Sequence, residues 1–160
     1  MLNEFFSEMV EVIMKYDGTL DKFVGDEIMA FWGAPVEQPD HPERAVRCAI
    51  EMIERLRALH ESWSSEDKPL LEMGIGVNTG EVLVGNIGVQ GKKMDYTVIG
   101  DHVNLAARLE AETRKMGLPL IISQFTYERI PEELKRRFQP LGEVRVKGRT
   151  QTVQVYGFSP

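Results

Sequence analysis

Two stretches constrain this chain more than the rest of its sequence. The first, DKFVGDEIMAFWG at residues 21–33, has short apolar runs on both sides of Gly25-Asp26. This pattern predicts a tight β-hairpin with Asp26 at its tip. A carboxylate there can meet a hard cation such as Mg²⁺, which takes one or two protein carboxylates together with substrate phosphates. An ordinary turn explains the same pair of residues, because Gly-Asp is common in turns.

The second stretch, DYTVIGDHVNLAAR at residues 95–108, predicts a strand followed by a helix. β-Branched and aromatic residues favour a strand over Met94–Ile99, and Gly100 interrupts it. Asp101 is a favourable N-cap for a helix that runs to about Lys115.

Two side chains near the start of this helix are suited to a nucleotide. Asn104 and Arg108 are four residues apart, so they share a face near the positive end of the helix. An arginine with an amide neighbour in that position suits phosphate and ribose contacts. The competing interpretation for Arg108 is a salt bridge with Glu112, which also lies four residues away.

Together the two stretches resemble the class III nucleotidyl cyclase catalytic domain, the adenylate/guanylate cyclase family. The pattern K-F-x-G-D-x-x-M-A, followed by T-x-x-G-x-x-V-N-x-A-x-R, carries the resemblance, which extends to the C-terminal VKGRTQTVQVYGF segment. The resemblance implies a role for each of six residues: Asp26 as the second of two metal-binding aspartates, Lys22 and Thr97 as the purine-selecting pair, Asn104 as the residue that positions the ribose, Arg108 as the one that stabilises the transition state, and Lys147 as the one that holds the triphosphate.

The purine-selecting pair favours adenine over guanine. Adenine has a ring acceptor at N1 beside an amino donor at N6, and the Lys22 donor and the Thr97 hydroxyl acceptor complement both groups. Guanine has a donor at N1 and an acceptor at O6, and guanylate-specific members of the family have Glu in place of Lys22. We therefore expect ATP to be preferred over GTP, because buried groups paired with the wrong base edge go unsatisfied.

One family motif has no counterpart in this chain. Cyclase domains open with a strand and an F-x-D-I-x-x-F-T motif that carries the first metal aspartate, whereas this sequence starts at Met1-Leu2-Asn3-Glu4. Two-metal catalysis needs carboxylates for both ions, and Glu27 is not expected to substitute, since neighbouring strand residues point to opposite faces. We expect an N-terminally truncated domain with negligible activity alone, because its start was assigned too late or because it is a fragment or a degenerate copy.

The order of the predicted elements indicates an α+β fold. A first helix ends at Asp17-Gly18, a second spans Glu43–Leu59, residues 71–84 form one strand kinked near Gly80, and residues 124–130 form a short helix. With the missing strand restored, the core is β-α-β-β-α-β, ferredoxin-like, followed by a C-terminal hairpin. By resemblance that strand is central, so its absence exposes two strand edges.

Composition indicates one domain over residues 1–160. The net charge of −6 argues against nonspecific nucleic-acid binding. The single cysteine, Cys48, excludes an intrachain disulfide and fits a cytoplasmic protein, with its side chain expected in the core. No apolar run is long enough to span a membrane, and no signal peptide is visible. The three histidines are scattered, and His102 is expected on the surface at a helix start.

The resemblance implies conversion of ATP to 3′,5′-cyclic AMP and pyrophosphate in cyclic-nucleotide signalling. The ribose 3′-hydroxyl attacks the α-phosphate, assisted by two Mg²⁺ or Mn²⁺ ions. The active sites are composite, lying at the interface of a homodimer, and an upstream sensor domain can accompany such a domain.

Four alternatives remain open: a guanylate cyclase, a non-catalytic cyclase-homology module that dimerises or binds nucleotide, a diguanylate cyclase on the basis of Gly25-Asp26-Glu27, and an interaction fragment with no nucleotide role. Residues 97–108 argue against the diguanylate cyclase.

Overall fold

A computed structural model describes residues 2–24, 27–64, 71–88, 94–146 and 151–160. Helices and strands alternate along the chain, which confirms the predicted α+β class. In chain order they are α1 (Leu2–Lys15), β1 (Thr19–Val24), β2 (Glu27–Phe31), α2 (His41–Ser64), β3 (Ile75–Val77), β4 (Leu83–Gly88), β5 (Met94–Ile99), α3 (Asp101–Met116), β6 (Leu120–Ser123), α4 (Gln124–Tyr127), α5 (Glu132–Lys135), β7 (Phe138–Arg145) and β8 (Thr152–Phe158).

The strands form one four-stranded sheet and two antiparallel ribbons. The sheet has the order β3-β6-β8-β7, in which β3 and β6 are parallel and the other pairs are antiparallel. The pairing of β7 with β8 confirms the predicted closing hairpin. The ribbons pair β1 with β2 and β4 with β5, and the first of them confirms the hairpin predicted around Gly25-Asp26, although the tip itself lies outside the described residues.

Neither β2 nor β3 has a second partner strand in the described part of the chain. β2 pairs only with β1, and β3 pairs only with β6. Both strands nevertheless lie over the same apolar cluster, since Ile28 of β2 and Ile75 of β3 pack against it. In the described ranges, one edge of each of these two strands therefore lies unpaired over the same core.

The cluster beneath these strands is built mainly by α1 and α2. Met9, Val12 and Ile13 recur at helical spacing on α1 and are fully or almost fully buried against α2. Burial of each such side chain stabilises the fold by roughly 1.5–3 kcal/mol. Cys48 of α2 lies in the same cluster, as predicted, and burial raises the pKa of its thiol to about 12.

The second helix is longer than the sequence predicts. It continues past Leu59, its predicted end, to Ser64. Trp63 is only 2% exposed, and its indole N–H donates to Glu4 Oε2 at 3.0 Å. The neighbouring residues are polar, but burial of the Trp63 indole and the hydrogen bond of its N–H stabilise the additional helical residues. Residues 65–70 lie outside the described part of the chain.

The single kinked strand predicted over residues 71–84 is also wrong. The structure has two strands there, β3 and β4, and they belong to different sheets. Between them the side chains of Asn78 and Thr79 bond to α3, β6 and α4 instead of continuing a ladder. These tertiary bonds end β3 after Val77.

The start of α3 and the end of α4 also differ from the predictions. The N-cap of α3 is Gly100, with no side-chain cap, and Asp101 is the first helical residue. The helix predicted over residues 124–130 ends at Tyr127, and a second short helix, α5, follows Pro131. Proline fixes φ for a helix start, which accounts for the break.

Helix α3 packs closely on β3 because glycines line the contact. A Cβ at Gly76 would overlap the carbonyl oxygen of Ala106 and would lie 2.5 Å from the amide nitrogen of Glu110. These are backbone atoms of α3, which cannot rotate out of the way. The position of α3, and of every side chain it carries, therefore depends on the absence of a side chain at residue 76.

Within the described ranges, no helix is both long enough and apolar enough to cross a membrane.

Candidate functional site

A β-bulge in β1 aims two adjacent side chains at one target. Leu20 is opposite Ala30 and Lys22 is opposite Met29, so Asp21 is an extra residue with no partner on β2. In a regular strand, neighbouring side chains point to opposite faces. The bulge removes this alternation, and bulges commonly re-aim side chains beside functional sites.

Both side chains reach Thr97 on β5. Lys22 Nζ donates to Thr97 Oγ1 at 3.4 Å across 75 residues of sequence. The Thr97 hydroxyl in turn donates to Asp21 Oδ2 at 2.5 Å. The structure therefore brings together the two residues predicted to select the purine. It adds Asp21, which the sequence analysis missed because a regular strand would turn it away.

The three residues leave a defined set of unused hydrogen-bonding groups. The Lys22 ammonium has three donors, of which one is directed at Thr97. The hydroxyl of Thr97 has one donor and two acceptor positions, of which the donor and one acceptor are used. Within the described part of the chain, no hydrogen bond uses the other two lysine donors or the second hydroxyl acceptor. Thr97 is 4% exposed, so its hydroxyl lies in a largely buried position.

The predicted ribose and transition-state residues are both on α3. Asn104 is exposed, and no hydrogen bond of its side chain is found within the described residues. Arg108 Nε donates to Glu112 Oε1 at 2.9 Å, which confirms the competing interpretation of a salt bridge. Glu112 is 7% exposed, whereas the Arg108 side chain is 40% exposed. The bond uses Nε alone, and within the described ranges no hydrogen bond or ion pair uses the two terminal NH₂ groups, which are donors suited to a phosphate.

In the described part of the chain, no hydrogen bond or ion pair joins Asn104 or Arg108 to the cluster of Asp21, Lys22 and Thr97. The two groups are connected through the backbone, since β5 carries Thr97 and leads through Gly100 into α3. The two remaining predicted site residues, Asp26 and Lys147, lie outside the described residues.

A polar network fixes the first turn of α3. Asn78 Nδ2 lies 3.0 Å from His102 Nδ1 and donates to the His102 carbonyl at 2.9 Å, while Ser123 Oγ donates to Asn78 Oδ1 at 2.6 Å. The His102 ring also meets Phe125 edge to face at 5.5 Å. His102 therefore lies at a helix start, as predicted, but it is half-buried and bonded instead of lying free on the surface. Sequence patterns could not predict this network, because its members come from three separate segments of the chain.

Among the described residues, one buried carboxylate oxygen has the chemistry of a metal ligand. Asp21 Oδ1 is buried without a hydrogen-bond partner, and a carboxylate oxygen is a ligand that Mg²⁺ accepts. One carboxylate does not hold two ions, however, and the described ranges contain no group of three or more His, Cys, Asp or Glu side chains placed to bind a metal. These residues therefore do not by themselves form a two-ion centre.

Comparison with protein families gives a match over nearly the whole chain. The family model of the adenylate and guanylate cyclase catalytic domain matches residues 1–159. Adenylate cyclase 1 of Rhizobium meliloti (strain 1021) is 35% identical over 156 residues, which are 98% of this chain and 23% of that protein. Adenylate cyclase 2 of the same organism is 29% identical over 96% of this chain and 41% of its own length. The chain thus spans less than half of either relative.

Solved structures of cyclases have the same fold. The adenylyl cyclase CyaB from P. aeruginosa superimposes with a TM-score of 0.85 at 35% identity, over 99% of this chain and 80% of that one. The guanylyl cyclase Cya2 also gives 0.85, at 38% identity, over 98% of this chain and 77% of that one. Similarity alone therefore does not choose between adenylate and guanylate. Both comparisons agree on the family, and the chain belongs to the adenylate and guanylate cyclase catalytic domain family.

Proposed function

We propose that the chain is an adenylate cyclase domain, which converts ATP to 3′,5′-cyclic AMP and pyrophosphate in cyclic-nucleotide signalling. The observation that carries the proposal is the contact between Lys22 Nζ and Thr97 Oγ1 at 3.4 Å. It places a cationic donor beside a hydroxyl acceptor in a largely buried position, where the identity of a base edge has the greatest energetic effect.

The unused groups of this pair complement adenine. A lysine donor faces the N1 acceptor, and the Thr97 acceptor faces the N6 amino group. Guanine would present an N1 donor to the ammonium and an O6 acceptor to the hydroxyl, so two contacts would be mismatched. Each unpaired buried group costs about 1–3 kcal/mol, which corresponds to a clear preference for ATP over GTP.

The residues of α3 act on the sugar and the phosphates. We assign Asn104 to the ribose and Arg108 to the charge that develops on the α-phosphate when the 3′-hydroxyl attacks it. A donor that acts on transition-state charge contributes about 3–4 kcal/mol in comparable sites. Glu112 holds the guanidinium by Nε and leaves its terminal groups free for that contact. Lys147 is assigned to the triphosphate by its position in the family pattern.

Cyclases of this family generally use divalent metal ions, which activate the ribose hydroxyl and neutralise phosphate charge. We assign Asp26 as one ligand of a site for two Mg²⁺ or Mn²⁺ ions. The described residues do not form that centre by themselves.

The proposed assembly is a homodimer with two composite sites. In this arrangement Asp26 of one chain faces Lys22, Thr97 and Arg108 of the other, and two-fold symmetry makes both sites equivalent. One of the similar solved structures, a guanylyl cyclase domain at 25% identity and a TM-score of 0.71, is described as a non-canonical dimer, which supports dimerisation in the family.

We also propose that residues 1–160 act as one catalytic domain in the cytoplasm, by themselves or within a larger protein. The buried free thiol of Cys48 suits a reducing compartment.

A second candidate is a non-catalytic module that binds nucleotide and dimerises. The observation in its favour is that the described residues lack a metal-binding cluster. It shares base recognition with the first proposal and differs from it in turnover.

Nucleotide binding by the purified chain tests what both candidates share. Titration calorimetry should show that Mg-ATP binds more tightly than Mg-GTP. Asn104→Ala should weaken both nucleotides alike, since they share a ribose, whereas Gln139→Ala removes an exposed amide on β7 and should leave binding unchanged. Absence of binding for both nucleotides would contradict the proposal and leave the interaction fragment.

Turnover separates the two candidates. Cyclic AMP formation from Mn-ATP by the 160-residue chain alone should be negligible, because one assigned carboxylate does not hold two ions. The same assay with an F-x-D-I-x-x-F-T segment placed ahead of residue 1 should give cyclic AMP if the domain is catalytic. No cyclic AMP from that version would favour the binding module.

A further inference from the structure

We propose that Asp21 is a positioning residue for purine selection: its carboxylate binds the proton of the Thr97 hydroxyl, so that Thr97 meets the base only as an acceptor. This inference rests on the proposed function, in which Lys22 and Thr97 contact the base. It adds a residue that the family pattern, which begins at Lys22, does not include.

A threonine hydroxyl alone is ambiguous. It rotates freely and donates or accepts, so it can pair with the 6-amino group of adenine or with the 6-oxo group of guanine. A lysine does not remove the ambiguity, because an ammonium needs only a lone pair from the hydroxyl. Discrimination at position 6 of the purine requires a group that takes up the hydroxyl proton.

Asp21 supplies that group in this chain. Thr97 Oγ1 donates to Asp21 Oδ2 at 2.5 Å and accepts from Lys22 Nζ at 3.4 Å. An ionised carboxylate has no proton to donate, so it fixes the direction of the first bond. The one position left on Thr97 Oγ1 is a lone pair, which accepts from an amino group and repels a carbonyl oxygen.

Two further observations indicate that fold stability alone does not account for Asp21. The bulge in β1 directs Asp21 toward Thr97, and as a result Asp21 has no partner residue on β2. The second carboxylate oxygen, Oδ1, is buried with no hydrogen-bond partner in the described part of the chain. A buried unpaired acceptor is destabilising, so this oxygen of Asp21 does not add to the stability of the fold.

The test uses two triphosphates of equal size that differ at position 6. N6-methyl-ATP has an N–H donor there, and the triphosphate of 6-methoxypurine riboside has an oxygen acceptor, while both have the same N1 acceptor. Calorimetric titration of the unmodified chain with the magnesium salt of each should give about tenfold tighter binding of N6-methyl-ATP, the ratio for one hydrogen bond. Equal affinities in the unmodified chain would mean that the hydroxyl serves either partner, and would overturn the inference without any variant.

Variants then assign the effect to Asp21. Asp21→Ala should bring the ratio of the two affinities close to one, and Asp21→Asn should also lower it, because the amide can turn an N–H donor as well as its oxygen toward Thr97 Oγ1. Glu54→Ala removes the same charge from an exposed position of α2 and should leave the ratio unchanged. Circular dichroism and the melting temperature of each variant establish that it is folded.

The outcomes separate this inference from the function on which it rests. If Thr97→Val abolishes the ratio while Asp21→Ala preserves it, or if Asp21→Ala weakens both nucleotides equally, the positioning role is wrong and the proposed function stands. If Thr97→Val leaves the ratio unchanged, Thr97 does not contact the base, and the proposed function fails together with the inference.

Discussion

At the residue scale, Ser123 shows how one buried hydroxyl joins several elements. It is fully buried at the end of β6, donates to Asn78 Oδ1 at 2.6 Å, and accepts from the Thr126 amide at the start of α4. Asn78 in turn bonds to His102 in the first turn of α3. Ser123 therefore links the sheet to the helix that carries Asn104 and Arg108, although it touches neither.

Ser123→Ala should lower the free energy of unfolding by about 1–3 kcal/mol, because it leaves Asn78 Oδ1 and the Thr126 amide without this partner. Urea denaturation measures the change. Ser7→Ala, at an exposed position of α1, is the matched control and should stay within about 0.5 kcal/mol of the unmodified chain. Equal stability of the two variants would mean that the Ser123 hydrogen bonds contribute nothing.

At the element scale, α3 is placed by its packing on β3, and the glycine at residue 76 makes that packing possible. Sequence periodicity could predict that these elements exist, because apolar spacing and breakers are local properties. It could not predict the ends of β3 and α2, since side chains of Asn78 and Trp63 form tertiary bonds there. It also missed Asp21, because nothing in the order of residues marks a bulge.

Gly76→Ala should destabilise the chain by about 2–3 kcal/mol, because the added methyl meets backbone atoms of α3. It should also weaken Mg-ATP binding, since a displaced α3 moves Asn104 and Arg108. Gly85→Ala on β4 is the control, because a Cβ there meets no atom within 4 Å. The two variants are compared by urea denaturation and by titration calorimetry. Similar stability of both would show that α3 does not pack this closely.

At the scale of the whole molecule, the chain contains only part of the proposed catalytic centre in its described residues. Lys22 and Thr97 are in contact, and Asn104 and Arg108 are one helical turn apart, yet no described metal cluster completes the set. The resemblance to the family predicted the purine pair, because its residues are read directly from a motif. Which residues of two chains together form one active site depends on quaternary structure. Local sequence patterns of a single chain do not predict that arrangement.

Mixing two inactive variants tests the composite site. With an F-x-D-I-x-x-F-T segment ahead of residue 1, Asp26→Ala and Arg108→Ala chains should each be nearly inactive. When they exchange freely, about half of the dimers are mixed and each has one intact site, so cyclic AMP formation should return to about a quarter of the unmodified level. If exchange is demonstrated and no activity returns, both residues serve the same chain's site and the composite arrangement is wrong.

Lys22 and Thr97 are proposed to select ATP, and exchanging the hydrogen-bonding character of both residues tests that selection. The measurement is the ratio of the GTP and ATP dissociation constants of the purified chain, by titration calorimetry with the magnesium nucleotides. Lys22→Glu with Thr97→Cys replaces the lysine donor by an acceptor for guanine N1 and should turn a preference for ATP into one for GTP. Arg57→Glu, which makes the same charge change at an exposed position of α2, should preserve the ATP preference. An unchanged ratio in the folded double variant would mean that Lys22 and Thr97 do not select the base.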